Sequence, residues 1–425
     1  MFEIFVEKFG GASVNSAEAI RNVASIILSE KKKRLIVVSA MGKTTNSLEL
    51  VLNSFVEKKT IDESIIENSK NYHKEIINNL FPKGNEYLET YIENTYKEIE
   101  EKLLSYNIDK NYDKNYDSIV SYGEIIGTTI ISKYFEEIGL EHSFVLATNH
   151  IKTNNSYRRA KVLWGDTQKN ITKSILTIFE SVDTIITQGF IGGGENNETT
   201  TLGREGSDFS AAVFAYCLRA KSVTIWKDVP GLLNADPKYF EDTRKFEQVP
   251  YSEAIELSYY GASIIHPKTI KPLENLSIPL YVKSFLSPKD EGTRIDCCSN
   301  TKPLMPSYIF KDNQTLLSIF PKDFSFVVEE NLSNIFALFA RYGIKINLMQ
   351  NSALSYSVCF DPIKDDLLQR LITELSVSYS VKYNRNLRLI TIRRYTEDAI
   401  RNLIKGKKLI IEQRSRLTAQ FLVKL

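Results

Sequence analysis

Apolar and polar positions change their spacing in a regular way over the first 285 residues. Short apolar runs such as "EIFVEKFG", "RLIVVSAMG" and "TIITQGF" are typical of buried strands. Longer stretches such as "SAEAIRNVASIILSE" have apolar residues every three or four positions, which predicts amphipathic helices, and Ser16 stands where an N-cap is expected. Strands that alternate with helices in this way predict an α/β fold with a mostly parallel sheet covered on both faces.

A long segment interrupts this alternation. From Ser47 to about Tyr116 the pattern is helical and rich in Lys, Glu, Asn and Tyr. We interpret it as an amphipathic helical insertion, with "NIDKNYDKNYD" as its polar loop.

The pattern changes after residue 285. The stretch "LSPKDEGTRIDCCSNTKPLMPS" has three prolines and little periodicity, so we place a linker at 286–312. Beyond it, strand–helix–strand patterns occur twice over 313–386 and begin again over 387–425, where the second copy stops early. Repeated small α+β modules usually serve sensing or pairing and not chemistry.

Composition narrows the classes of protein to consider. The 425 residues are 43% hydrophobic and 25% charged, with a formal net charge of +2, so bulk charge suggests neither a nucleic-acid nor a membrane partner. The four cysteines form no CxxC pair, and the N-terminal "MFEIFVEKFGG" is too short and too charged for a signal peptide. No run reaches the roughly 18 apolar residues of a membrane span. We therefore expect a cytoplasmic protein.

Four glycine-containing loops follow predicted strands: "KFGGAS", "SAMGKTTN", "TTTLGREGSD" and "WKDVPGLLNADPK". None contains GxxxxGK[ST] or GxGxxG, so they are neither a Walker loop nor a dinucleotide fingerprint. Because the carboxyl ends of parallel strands meet at one edge, these loops and their Lys, Ser, Thr, Arg and Asp side chains should converge there. Such a set suits phosphoryl transfer, which needs cations and N–H donors around the moving group.

Three side chains carry this hypothesis, and each has a simpler alternative. Lys8 is suited to neutralise phosphate oxygens, although it could be an ordinary solvated lysine. Arg204 can bind a carboxylate through two hydrogen bonds, which would make the acceptor an acid. Asp208, near a predicted helix start, would orient the lysine or, alternatively, cap the helix.

The motifs "KFGGAS", "VVSAMGKTTN", "SYGE", "TQGFIGG", "TTTLGREGSD", "WKDVPGLLNADP" and "GASIIHPKTI" occur in the order and spacing of the aspartate kinases, which the chain resembles from residue 3 to about 285. The resemblance implies the three-layer amino-acid-kinase sandwich, with residues 1–285 as the catalytic domain. It also implies ATP-dependent phosphorylation of the side-chain carboxylate of aspartate, the first step towards lysine, threonine and methionine. Mg²⁺ is implied as the counter-ion of ATP, with few protein ligands.

The resemblance also assigns roles to residues. It gives Lys8 and Asp208 catalytic roles and places Ser39, Thr45, Glu124, Arg204 and Ser207 around aspartate, with Glu124 on its α-amino group. The ATP site would be built by Gly10, Gly11, Ser13, Lys227, Asp228, Gly231, Asp236 and Lys238. No metal site of His and Cys is expected, and His266 should have a structural role at a helix start.

The chain departs from the family pattern near the nucleotide. Ser263 stands where the family commonly has a lysine that touches ATP phosphates, and Lys227 is a hypothetical replacement for that charge. Leu233 stands where a tyrosine usually lies near the adenine, and Lys238 where an arginine is common. These changes motivate one alternative function, a catalytically weak amino-acid sensor of the same fold. A kinase acting on glutamate or acetylglutamate is the other alternative.

The C-terminal modules resemble the regulatory ACT domains of the same family. The resemblance implies a homodimer formed through these modules and inhibition by lysine or threonine. It also implies that "PSYIF" (306–310) donates a strand to the second, truncated module. In "INLMQNSAL" the expected effector residues are Asn347, Gln350, Asn351 and Ser352, the last three in a loop. The alternative is that the modules only dimerise.

Overall fold

The computed structural model describes residues 3–105, 111–262, 265–298, 305–323 and 325–424. The chain divides into two units. The described residues of Met1–Leu232, Lys245–Ile255 and Ser263–Thr301 form the first, and those of Leu233–Arg244, Glu256–Ala262 and Lys302–Leu425 form the second. Within the described part of the chain, no helix is both long and apolar enough to cross a membrane.

The first unit is built around an eight-stranded sheet in the order β3-β4-β2-β1-β7-β9-β10-β8. All neighbours are parallel except β9 and β10, which confirms the predicted mostly parallel sheet. A separate hairpin is formed by β5 and β6. The strands are β1 Ile4–Phe9, β2 Lys33–Val38, β3 Ser143–Val145, β4 Thr184–Gln188, β5 Ile191–Gly193, β6 Thr199–Thr201, β7 Ser222–Lys227, β8 Gln248–Pro250, β9 Leu280–Ser284 and β10 Thr293–Asp296.

Helices cover both faces of this sheet. Ile36 and Val38 of β2 pack into a core that includes Ile20 and Val23, whereas Leu35 and Val37, on the opposite face, are equally buried. The helices are α1 Ala17–Leu28, α2 Thr44–Lys58, α3 Glu63–Leu80, α4 Glu86–Ser105, α5 Tyr112–Val120, α6 Tyr122–Glu137, α7 Ala147–His150, α8 Trp164–Ile178, α9 Gly206–Leu218 and α11 Pro267–Asn275, with 3₁₀ turns at Gly11–Val14 and Glu195–Asn197. A further helix, α10 Tyr251–Tyr260, groups with the second unit from Glu256 onwards.

Ser16 and His266 cap helices of the first unit. Ser16 accepts a hydrogen bond from the backbone N–H of Ala19 (3.1 Å) at the start of α1. His266 is the N-cap residue of α11, and its Nδ1 accepts from the N–H of Lys268 (3.2 Å). The ring of His266 therefore has the structural position that the sequence suggested.

The first unit extends beyond the predicted boundary at 285. Strand β10 pairs with β9 and β8, so part of the segment interpreted as a linker belongs to the sheet. This four-residue strand follows Pro288 and Gly292 and is too short to give a periodic signal.

The second unit contains a six-stranded antiparallel sheet in the order β12-β13-β11-β14-β16-β15. Its elements are β11 Ser307–Pro321, α12 Glu329–Arg341, β12 Ile346–Ser352, β13 Ser355–Phe360, α13 Asp365–Leu375, β14 Tyr379–Arg393, α14 Glu397–Ile404, β15 Lys408–Arg414 and β16 Thr418–Lys424. The antiparallel α+β character confirms the fold class predicted for this part of the chain.

Two long strands run through both modules of this unit. β11 and β14 are each 15 residues long and pair with each other, with register shifts between Lys311 and Leu316. Ser307–Lys311 pair with the end of β14, which places the "PSYIF" residues described here beside the second module. Asn313 and Asn386 have left-handed backbone conformations (φ 57° and 56°) near the shift, which asparagine tolerates better than most residues.

Candidate active site

Four neighbouring strands of the first sheet end together. Phe9, at the end of β1, lies opposite Val38 of β2 and Trp226 of β7, and Val38 lies opposite Gln188 of β4. The loops that follow these strands therefore start from one edge of the sheet, as the sequence suggested. A pocket of about 890 Å³, lined by residues of these loops, opens there.

Two lysines share one buried carboxylate in this pocket. The Nζ of Lys8 lies 2.7 Å from Oδ1 of Asp208, and the Nζ of Lys227 lies 3.7 Å from Oδ2. Burial alone would raise the pKa of Asp208, but the charges of the two lysines and their hydrogen bonds outweigh it and lower this pKa. Asp208 therefore stays ionised and holds two ammonium groups beside the pocket.

The carboxylate of Asp208 does not cap its helix. The N-cap position of α9 is taken by Glu205, in a left-handed conformation (φ 53°), and Asp208 lies in the first turn. Lys227, the hypothetical replacement for a missing family lysine, lines the same pocket as Lys8.

A buried carboxyl group forms another wall of the pocket. Burial raises the pKa of Glu124 to about 8, although hydrogen bonds from backbone N–H groups, the Thr45 hydroxyl and the charge of Lys8 act to lower it. The Oγ1 of Thr45 lies 3.5 Å from Oε1, while Oε2 is buried and has no hydrogen-bond partner within the described ranges. Ser39 also lines the pocket. This arrangement leaves an acceptor atom available for a cationic group such as an ammonium.

The turn before α9 presents Arg204 and Ser207. Arg204 is exposed, lines the pocket and forms no ion pair with any described residue, so it can meet an anion. Ser207 is buried because the turn after β4 passes very close to it. A Cβ added at Gly189 would lie 2.5 Å from the Ser207 Cβ, so this approach requires glycine.

The turn after β1 is shaped by its own hydrogen bond. Ser13 Oγ donates to the carbonyl oxygen of Gly10 (2.7 Å), and neither residue is among those lining the pocket. Gly11 does line it, and a Cβ there would lie 2.8 Å from the carbonyl oxygen of Gly42. The glycine thus lets two loops pack backbone to backbone.

The remaining residues predicted for ATP do not line this pocket. Asp228 and Gly231 follow β7, where a Cβ on Gly231 would lie 2.4 Å from Oγ1 of Thr293. Leu233, Asp236 and Lys238 belong to the segment Leu233–Arg244, which groups with the second unit. There Asp236 Oδ1 accepts from the N–H of Lys238 (2.9 Å), a local turn contact. Ser263 lies outside the described residues.

In the second unit, the predicted effector residues lie on the edge strand β12 and not in a loop. The side chain of Asn347 is fully engaged: its Nδ2 donates to Gln314 and Asp361, and its Oδ1 accepts from Lys311 at 2.8 Å. Gln350, Asn351 and Ser352 are exposed. The polar letters "QNS" suggested a loop because such residues are common in loops.

Several residues of the pocket wall were not predicted. Arg158, Arg159 and Phe190 line the pocket, and Asp117 lies behind it with no solvent exposure. Asp117 lies on α5 and Glu124 on the next helix, α6. The partners of Asp117 include backbone groups far away in the sequence, so no local pattern identified it.

Among the described residues, the pocket offers few side chains that could ligate a metal ion directly. Within the described ranges, no cluster of three His, Cys, Asp or Glu side chains could hold a metal ion, and both oxygens of Asp208 already face lysines. Mg²⁺ commonly keeps several waters and binds through substrate phosphates with few protein ligands.

Comparisons with known proteins agree with this geometry. A sequence model of the amino acid kinase family matches residues 3–284. Lysine-sensitive aspartokinase 3 of Escherichia coli (strain K12) is 30% identical over 402 residues, which are 92% of this chain and 87% of that protein. Aspartokinase 1, chloroplastic, of Arabidopsis thaliana is 31% identical over 424 residues, 95% of this chain and 69% of that protein. The crystal structure of E. coli aspartokinase III with aspartate and ADP matches with a TM-score of 0.86 and 26% identity, over 99% of this chain and 96% of that chain. The chain therefore belongs to the amino acid kinase family and, within it, to the aspartokinases.

Proposed function

We propose that this chain transfers the γ-phosphoryl group of ATP to the side-chain carboxylate of L-aspartate, giving 4-phospho-L-aspartate and ADP. The observation that carries the proposal is the pair Lys8 and Lys227 on Asp208, in one pocket with Glu124 and Arg204. The ligands of the E. coli relative, aspartate and ADP, support the same substrates here.

The two ends of the pocket suit the two ends of the acceptor. Glu124, when ionised, binds the α-ammonium group through its available oxygen, with Thr45 and Ser39 beside it. Arg204 binds a carboxylate through its guanidinium, and Ser207 contributes a hydroxyl. This combination favours an amino acid with a second carboxylate as acceptor.

The chemical step needs charge stabilisation and no general base, because the attacking carboxylate is already ionised. Its oxygen forms the new bond to the γ-phosphorus while the bond to the β–γ bridging oxygen breaks, and ADP leaves with that electron pair. Lys8 and Lys227 stabilise the charge on the transferring group. Asp208 fixes both lysines beforehand, so little reorganisation is needed during the reaction.

We assign the nucleotide to the loops after β1 and β7. Gly10, Gly11 and Ser13 shape the first, and Asp228 and Gly231 contribute from the second. Mg²⁺ bound to the triphosphate would neutralise part of its charge. The protein itself contributes backbone N–H groups and lysine side chains to nucleotide binding.

We further infer that the second unit binds an amino acid, lysine or threonine, and joins two copies of the chain. The exposed residues Gln350, Asn351 and Ser352 on edge strand β12, beside exposed Met349 and Leu354, support this inference. A relative named as lysine-sensitive points to lysine first.

The test is formation of an acyl phosphate, trapped with hydroxylamine, from purified protein, ATP and Mg²⁺. Aspartate, glutamate, acetylglutamate and no acceptor are compared, each with and without lysine or threonine. We expect hydroxamate with aspartate alone and suppression by one of the two amino acids. Folded protein that binds aspartate but yields no hydroxamate would instead establish the sensor, and hydroxamate from another acceptor would reassign the substrate.

A further inference from the structure

Asp117 is a fully buried carboxylate that the chemistry above does not use. It lies on α5, and its side chain accepts hydrogen bonds from two distant segments. Oδ1 accepts from the Thr201 hydroxyl (2.6 Å) and Oδ2 from the Thr201 N–H (2.7 Å), while the N–H of Arg158 lies 2.9 Å and 3.0 Å from the two oxygens.

Neutral hydrogen-bond donors stabilise the negative charge of Asp117. Among the described residues Asp117 forms no salt bridge, and the guanidinium of Arg158 is directed to Glu49 (3.3 Å) and Asp113 (3.6 Å). Burial raises the pKa of Asp117 to about 6, against the hydrogen bonds from Thr201 and Arg158, which lower it. A buried carboxylate without a cation is costly, so its three donors must be well placed.

The two segments held by Asp117 lead into the pocket. Thr201 is the last residue of β6, three positions before Arg204, and its carbonyl oxygen accepts from the N–H of Ala160 (3.0 Å). Arg158 belongs to the loop that forms another wall of the pocket. Through these bonds the carboxylate fixes the strand that ends at the Arg204 turn.

Asp117 is also tied, through its backbone, to the start of the helix that carries Glu124. Its own carbonyl oxygen accepts from the N–H of Ser121 (3.3 Å), and α6, which carries Glu124, begins at the next residue. One side chain therefore links the helix pair that carries Glu124 to the strand that leads to Arg204.

We propose that Asp117 is a positioning residue of the acceptor pocket, which sets the separation between Glu124 and the Arg204 turn through Thr201 and Arg158. The assignment rests on the proposed function. Asp117 itself touches no substrate, so its loss should loosen the grip on the acceptor and leave the nucleotide site unaffected.

The experiment measures kcat and the KM values for aspartate and ATP by hydroxamate formation. Asp117→Asn places an amide N–H₂ group against the donors of Thr201 or Arg158. Thr201→Val removes the hydroxyl donor of Thr201 while keeping the shape of its side chain. Thr201→Ser keeps the hydroxyl and is the conservative variant. Thr95→Val, which removes another buried hydroxyl from α4, is the matched control.

We expect the KM for aspartate to rise about tenfold or more in Asp117→Asn and several-fold in Thr201→Val, with the KM for ATP within about twofold of wild type. Thr201→Ser and Thr95→Val should keep the wild-type KM for aspartate. If Asp117→Asn does not fold, the Thr201 pair decides the outcome.

Two results would overturn the assignment, and they are distinguishable. If the wild type forms aspartate hydroxamate but Asp117→Asn and Thr201→Val lower only thermal stability or the active fraction, with KM unchanged, Asp117 is merely structural. If the wild type forms no hydroxamate from aspartate, the proposed function fails and the assignment fails with it.

Discussion

The protonation of Glu124 should make aspartate binding strongly dependent on pH. Burial raises the pKa of this carboxyl to about 8, so in the free protein at pH 7 only about one tenth of the molecules carry the carboxylate that an ammonium group requires. The apparent affinity for aspartate at pH 7 is then about tenfold, or about 1.4 kcal/mol, below the affinity of the fully ionised protein. At pH 6 it is about a hundredfold below that affinity.

The direction of the pH dependence follows from the direction of the pKa shift of Glu124. Raising the pH ionises Glu124, so kcat/KM for aspartate should rise about tenfold per unit between pH 6 and 7 and level off above about pH 8. Because a bound ammonium favours the ionised form, binding at pH 7 should release close to one proton. Calorimetry in buffers with different ionisation enthalpies measures that proton directly.

Glu124→Gln is the control, because it keeps the shape of the side chain but does not titrate. The variant should bind aspartate more weakly and lose the pH dependence. Burial also lowers the pKa of Lys268, which lies near Asp208, to about 8. Lys268 therefore titrates in the same pH range as Glu124. A slope that persists in Glu124→Gln, or a flat wild-type profile between pH 6 and 8, would refute the assignment.

Three further predictions concern catalysis and stability. Asp208→Asn should lower kcat about a hundredfold or more with a small change in the KM for aspartate, because both lysines lose their orienting charge; unchanged single-turnover rates would contradict this. Gly189→Ala should destabilise the protein by about 1–3 kcal/mol in thermal melts, since its Cβ meets the Ser207 Cβ at 2.5 Å, whereas Gly165→Ala, with nothing within 4 Å, should be neutral. Burial lowers the pKa of His73 to about 4, so protonation favours the unfolded chain and about 2 kcal/mol of unfolding free energy should be lost between pH 7 and pH 5. Urea titrations should show that loss in the wild type and its absence in His73→Gln, and parallel curves for the two would argue against it.

The sequence was sufficient to predict which residues lie near the ends of the parallel strands. Lys8, Ser39 and Lys227 lie at the ends of predicted parallel strands, and such ends meet at one edge by rule. Asp208 was recognisable because charged and glycine residues surround a helix start.

Other features depend on contacts that no local pattern records. Asp117 is bonded to the N–H groups of residues 41 and 84 positions away, and a backbone N–H carries no residue-specific signal. Strand β10 has four residues and no periodicity, and β12 is rich in residues typical of loops. In each case tertiary pairing decides the structure.

The continuity of β11 and β14 has a consequence for protein engineering. A junction placed at residue 387, where the sequence divides the two modules, would cut β14 in the middle of its ladder with β11. Either half would then keep an unsatisfied strand edge, which favours aggregation. The sheet formed by Ser307–Lys424 should therefore be kept whole, and junctions in chimaeras should not fall inside it.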